Sequence, residues 1–263
     1  MINRFFSLLN ILLICFLLVV LTPSICFSSS NFNFQEIITE SHIQKIKNNL
    51  ILRELGRNGL IDWNPTEDFA SLGIMHATWG GEKTIKHGNT FSKFVIFSKS
   101  KGISIPMFLN NSLENPWKSR SDFFASKYSF DIRMQELQIF LNNTVDLQVE
   151  FLIDRVLSCL TLFLNQLDSY SYEKIALKQL ISSSDGLLAV IDYINFKGEG
   201  DFNDESKWGL FNVLSHMKNF ADKAPLDSFI NSAKLILKLR HPKYNLYANG
   251  WNSRLESYAN SMV

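Results

Sequence analysis

In Leu60-Ile-Asp-Trp-Asn-Pro-Thr-Glu-Asp-Phe-Ala-Ser-Leu-Gly-Ile-Met-His-Ala-Thr-Trp79 the helical period disappears. From Leu60 to Thr90, Gly and Asn become frequent: Gly73, Gly80, Gly81, Gly88 and Asn89. Such a segment is expected to form an irregular lobe, with short strands around Leu72 to Ile74. Before it, Gln35 to Leu55 reads as a helix. Ile38, Ile43, Ile46, Leu50 and Leu55 fall near one face, Lys45, Lys47 and Arg53 fall mostly elsewhere, and Gly56 and Gly59 end it.

After the lobe, Phe91 to Ser100 suits either a strand or a short helix. Ile103 to Pro116 is irregular, with Pro106 and Pro116 as breakers. The remainder predicts helices over Arg120–Lys127, Asp131–Leu141, Val145–Leu167, Tyr172–Leu180, Gly186–Ile194, Ser206–Phe220, Leu226–Leu239 and Trp251–Tyr258. Val149, Leu152, Ile153, Val156, Leu157, Leu160 and Leu164 give the longest of these a broad apolar face, which places it centrally in the core. Ser184 or Asp185 is expected to cap the helix from Gly186. The fold class is mainly α, an α+β arrangement of one helical domain with a small irregular or strand-bearing lobe.

Composition supports a foldable chain: of 263 residues, 46% are hydrophobic and 19% charged. Lys plus Arg number 26 against 25 Asp plus Glu, a net charge of +1. The basic excess of a phosphate-neutralising nucleic-acid binder is missing, so no nucleic-acid partner is expected. Three Cys (Cys15, Cys26, Cys159) exclude a disulfide-dense scaffold. Met1 to Arg4 is short and positive, Phe5 to Leu21 is apolar except for Ser7 and Asn10, and Pro23 and Ser28 to Ser30 follow. This is the order of a secretory signal, expected to occupy residues 1–26 with a cut after Cys26. An uncleaved anchor is the alternative. A single domain over residues 27–263 would then lie secreted or periplasmic, with no membrane contact beyond the N-terminal segment. Its oligomeric state is not legible.

Neither a Gly-rich nucleotide loop nor a zincin motif nor a nucleophile elbow is present. The five His are scattered, so no metal and no cofactor are expected. Sequons stand at Asn110 and Asn142.

Three clusters carry chemistry. Glu54, near the end of the first helix, precedes a lobe that supplies Asp62, Trp63, Asn64, Glu67, Ser71, His76 and Trp79. A carboxyl at such a junction suits general-acid work on a glycosidic bond, because partial burial keeps it protonated near neutral pH. The alternative has Glu54 on an ordinary helix surface and Trp63 in the core. The second cluster, Asp192-Tyr-Ile-Asn195-Phe-Lys197-Gly198-Glu199-Gly200, ends a helix in a sharp turn that either aims Asn195 and Glu199 at a cleft or merely caps the helix. The third, Gly250-Trp251-Asn252-Ser253-Arg254, supplies an Arg suited to a structural pair with a buried carboxylate.

Ser71-Leu72-Gly73-Ile74-Met75-His76 resembles the strand segment of phage-type lysozymes, where a Gly-Ile-Gly-His run follows the catalytic Glu by about twenty residues; here Glu54 precedes His76 by twenty-two. The segments Asn195 to Gly200 and Trp251 to Arg254 resemble later segments of those enzymes, in the same order. More closely, Trp63-Asn64 with Glu67 to Trp79, and Asp192 to Gly200 followed by Trp208-Gly209-Leu210, resemble a family of secreted bacterial proteins within the lysozyme-like superfamily. The resemblance implies that Glu54 is the general acid and that Ser71 positions the water. The partner carboxylate would come from Asp62 or Glu67, Asn64 being a further candidate. It also implies that His76 supports the lobe, that Asn195 and Gly198 hold fold-forming turn positions and that Arg254 is structural; Gly73 and Gly200 are read as structural beside them. Met75 replaces the relatives' second Gly, where a side chain is expected to crowd the cleft or push on the strand.

The expected function is cleavage of peptidoglycan glycan strands, by hydrolysis or by transglycosylation. Trp63, Asn64, His76, Trp79, Asn195 and Glu199 are candidate substrate-binding residues. Trp63, Trp79 and Trp208 are read either as sugar platforms or as core. A non-catalytic glycan-binding or envelope protein on the same fold is the alternative.

Overall fold

A computed structural model describes residues 39–55, 60–64, 69–80, 89–168, 170–201 and 203–260, with the backbone alone for 52–55. All belong to a compact unit spanning Phe32–Val263. The expected signal or anchor, residues 1–26, lies outside the described residues. Among the described residues no helix is long and apolar enough to cross a membrane.

The first helix, α1 (Glu40–Leu55), leads into a three-stranded antiparallel sheet. Its strands β1 (Ile61–Asn64), β2 (Phe69–Leu72) and β3 (Ala77–Gly80) follow in chain order. The sequence placed strands only around Leu72 to Ile74; Ile74 instead sits in the β2–β3 turn. Two-residue alternation turns Ile61, Trp63, Ala70, Leu72, Ala77 and Trp79 inward, where all are buried. The register sets Trp63 and Trp79 on either side of Ala70, so the smallest residue separates the two largest. Beneath them lies an aromatic core. Trp63 packs on Phe123 at 5.3 Å and Trp79 on Phe91 at 4.7 Å, and Trp117 meets Trp79 and Phe123 edge-on at 5.9 and 5.5 Å.

Helix α2 (Thr90–Ser100) settles the ambiguous segment after the lobe. Phe91, Phe94, Val95 and Ser98 are its buried residues, a spacing that only a helix directs to one side. A 3-10 turn (Met107–Asn110) precedes α3 (Arg120–Tyr128), α4 (Ile132–Asn143) and the 22-residue α5 (Val145–Gln166). α5 divides the interior. Phe151 joins the aromatic core under the sheet, while Val149, Leu152, Ile153, Val156 and Leu160 join a second, aliphatic core. That second core is closed by α6 (Tyr172–Ile181), α7 (Ser184–Lys197), α8 (Leu210–His216), a 3-10 turn (Met217–Phe220), α9 (Pro225–Arg240) and α10 (Tyr244–Glu256).

Boundaries of α7, α8 and α10 differ from expectation. α7 is capped by Ser183, not by Ser184 or Asp185; its hydroxyl accepts the Gly186 N–H at 3.1 Å. The helix expected from Ser206 begins only at Leu210, because Asn212 accepts the Asp201 N–H and donates to the Asp201 and Asp204 carbonyls, drawing the chain before the helix back onto it. α10 starts seven residues before Trp251 and runs through Gly250, where an added Cβ would meet open space, so this Gly breaks nothing.

Candidate functional site

The outward face of the sheet is polar. Register pairs Asp62 with Ser71 and Ser71 with Thr78, giving a row of three polar side chains across the strands. The Asp62 carboxylate accepts the Trp63 N–H at 2.8 Å. The Ser71 hydroxyl lies 3.3 Å from His76 Nδ1, and Thr78 meets the Thr90 hydroxyl at 3.2 Å. Asn64 is half-buried at the end of β1, opposite Phe69.

The β2–β3 turn brings His76 back beside Ser71. Gly73 adopts φ +70° and His76 φ +49°. Gly73 has no substitute here, since an added Cβ would stand 2.1 Å from Gln148 Oε1. That buried glutamine of α5 anchors the turn. Its Oε1 accepts the Ile74 N–H at 2.9 Å, and its Nε2 donates to the Leu141 carbonyl at 2.8 Å and the Thr144 hydroxyl at 3.2 Å. Met75 points into the core and is 4% exposed, so it crowds no cleft on the outward face.

Trp63 and Trp79 are corrected by their burial. At 1% and 0% exposed they are core residues and offer no platform to a sugar. Trp79 spends its indole N–H on the Leu113 carbonyl at 2.9 Å. Trp208 is half-buried against His241, with ring centroids 4.4 Å apart, and its carbonyl accepts the Tyr193 hydroxyl. The side chain of Glu54, in the last turn of α1, and the whole of Glu67 lie outside the described residues.

The His76 side chain is exposed and stands on the solvent side next to Ser71.

The second cluster gathers at the C-terminal end of α7. Gly198, φ +81°, ends the helix with its N–H on the Ile194 carbonyl. Gly200, also at +81°, lies so close to Gly209 that a Cβ on either would collide with the other's backbone. Between them Glu199 pairs with Arg155 of α5 at 3.3 Å. Burial, and then the Glu199 charge, push the nearby Cys159 thiol up to about 11. Asn195 is half-buried, and its Nδ2 has no hydrogen-bond partner among the described residues. Arg254 pairs with Asp192, inside the aliphatic core.

α5 joins the two clusters. Gln148 holds the sheet turn and Arg155 holds Glu199; seven residues separate them, which puts both on one face about 10 Å apart along the axis. Neither residue was singled out by sequence. The available signal was Gln148 itself, a polar side chain set within the apolar pattern of the longest helix. A groove of about 330 Å³ between α1, α2 and α5 is lined by none of the expected site residues that the structure describes. Among the described residues no group of His, Cys, Asp and Glu is arranged to hold a metal ion. Comparison of the chain with family models, with curated proteins and with solved structures finds no match in any of the three.

Proposed function

We propose that this protein cleaves the glycan strands of peptidoglycan, on a lysozyme-like fold and outside the cytoplasm. The observation that carries the reading is the outward polar row Asp62–Ser71–Thr78 with His76, on a sheet that directly follows the helix bearing Glu54. Glu54 protonates the leaving glycosidic oxygen. Water held by Ser71, or by the carboxylate of Asp62 or Glu67, attacks the sugar carbon. In the transglycosylase route the muramyl hydroxyl attacks instead, and Glu54 alone suffices. With Trp63 and Trp79 buried, sugar contacts fall to the polar residues of the sheet face and to Asn195 and Glu199.

The test is digestion of purified peptidoglycan by the full chain and its Glu54→Gln variant, with mass analysis of the products. The reading expects release by the wild type and its loss in the variant with folding unchanged. Reducing ends would mark hydrolysis, and anhydro-muramyl ends transglycosylation. No release between pH 4 and 8 would overturn the enzyme and leave the non-catalytic glycan binder, to be sought by pulldown on the same glycan.

A further inference from the structure

Hydrolysis of a glycosidic bond needs an acceptor for the proton of the attacking water. In a two-carboxylate enzyme the second carboxylate takes it. Asp62, the candidate described on the sheet, has one oxygen engaged by the Trp63 N–H at 2.8 Å. The neighbouring arrangement is of a different kind. Ser71 sits in the middle of the polar row with its hydroxyl 3.3 Å from His76 Nδ1, and the His76 ring stands exposed beside it. The ring is held there by a left-handed backbone, φ +49°, a conformation that costs a non-glycine residue free energy. The turn that imposes it is fixed from below by Gln148 and from the side by the Gly73 N–H on the Leu60 carbonyl at 2.7 Å. The ring is thereby turned out to the serine of the row.

We infer that His76 is the proton acceptor of the hydrolytic route, acting through Ser71; this rests on the glycan-cleaving reading above. The Ser71 hydroxyl donates to His76 Nδ1, the neutral ring carrying its proton on Nε2. The serine oxygen is then left to accept the proton of the attacking water. As the water oxygen bonds to the sugar carbon, its proton passes to Ser71 Oγ and the serine proton passes to Nδ1. The bond to the leaving oxygen breaks as that oxygen takes the Glu54 proton. The products are a hemiacetal, a free alcohol, a Glu54 carboxylate and a His76 imidazolium, so atoms and charge balance. Solvent then restores both protonation states. His76 is a positioning and relay residue, since Ser71 alone touches the water. Of the titratable groups near the ring, Asp62 on β1 lies opposite Ser71 in the strand register. Glu67 and Asp68, in the β1–β2 connection, lie outside the described residues.

The relay is tested on the full chain by following peptidoglycan hydrolysis between pH 4.5 and 8.5 for the wild type, Glu54→Gln, Ser71→Ala, His76→Asn and the Ser71→Ala/His76→Asn double variant. Asparagine is chosen because it tolerates the left-handed backbone. The relay expects the wild-type rate to carry an acid limb that depends on the imidazole. His76→Asn is expected to lose that limb and about 100-fold or more in rate, and the double variant to be no slower than the slower single. Wild-type inactivity overturns the glycan-cleaving reading and the relay with it, and full activity of Glu54→Gln overturns Glu54 as the acid and with it the relay that needs that acid. Glu54-dependent activity with an unchanged pH profile in His76→Asn overturns the relay alone, as does a multiplicative double variant. An imidazole titration by NMR, comparing wild type with Ser71→Ala, reads the same contact without turnover; an unmoved His76 titration would also overturn it.

Discussion

Arg254 of α10 grips Asp192 of α7 with two prongs, Nε at 2.8 Å and Nη2 at 2.6 Å, and the Tyr258 hydroxyl completes the site at 2.5 Å. Asp192 is 0% exposed, so the carboxylate has exchanged its water for protein donors, these three among them. The pair lies where Phe196 meets Trp251 at 5.9 Å, and Lys197 covers that indole face at 3.2 Å. It ties the last helix to the one that carries Asn195 and leads to Glu199.

Breaking this pair from one side should be costly. Arg254→Met takes both guanidinium donors from a buried carboxylate and is expected to lower unfolding free energy by about 3–5 kcal/mol. Tyr258→Phe should lose about 1.5–3 kcal/mol, the range for a hydrogen bond to a charged group. Urea denaturation checks both. Restoring part of the loss by adding Asp192→Asn to Arg254→Met would confirm that the cost lies in the stranded charge.

Gly73 should tolerate no side chain. Gly73→Ala meets the left-handed cost of about 1–2 kcal/mol, and displacement of Gln148 strands buried polar groups for about 1–3 kcal/mol more. A Gln148→Ala variant removes the collision but not the backbone cost. Thermal melts of the two singles and the double should therefore be non-additive.

Burial assigns Trp63 and Trp79 to stability. Alanine at either is expected to cost about 3–5 kcal/mol, read by denaturant melts. Conservative Phe substitutions that keep the fold should leave glycan affinity within about twofold in an equilibrium pulldown, since at 1% and 0% exposure neither ring is open to a sugar. A selective loss of affinity with stability intact would return them to the binding surface.

His241 makes the fold acid-sensitive. Burial, then the Lys197 and Lys243 charges, hold its imidazole down at about 4, against about 6.5 in an unfolded chain. Between those values the unfolded chain binds the extra proton, so its contribution to stability is complete above 6.5 and is lost as pH falls toward 4. The melting temperature should drop across that window by about 2–4 °C per kcal/mol lost. His241→Phe keeps a ring against Trp208 and Trp251 and should flatten the slope.

Cys159 should be a slow thiol. With its ionisation pushed to about 11, a disulfide reagent at pH 8 is expected to label it far more slowly than a free cysteine. Glu199→Gln removes the second cause of the shift and should speed labelling modestly. Labelling at the free-cysteine rate in the native protein would contradict the burial.

Much of the helical part was written in local patterns. α3, α4, α5, α6 and α9 each carry an apolar stripe bounded by caps or breakers, and their observed ends lie within one or two residues of the expected ones. Periodicity also set the lobe apart, because Leu60 to Thr90 lacks it. The strands within it are four residues each. So short an element has no local signature strong enough to fix its register. That was decided by Trp63 and Trp79 needing one common interior, with Ala70 between them. The α7–α8 connection likewise depends on Asn212 reaching back eleven residues to Asp201 and on two glycines meeting, contacts that no local window contains.

The candidate site divides the same way. Sequence by itself determined the residue types and their order: a Glu at a helix end, a Ser and a His five positions apart, and a Gly-flanked Glu before a late Arg. It also determined that one face of each helix must be buried, because hydrophobic periodicity is a property of the local chain. Only the tertiary structure decided which polar residues meet. Ser71 reaches His76 because Gly73 and Gln148 fold the turn back. Glu199 reaches Arg155 because α5 passes beneath it, and Arg254 reaches Asp192 across sixty-two positions of chain. The physical reason is that periodicity states which side of an element avoids water, whereas contacts between elements depend on packing them into shared cores, and that choice is made by the whole chain at once.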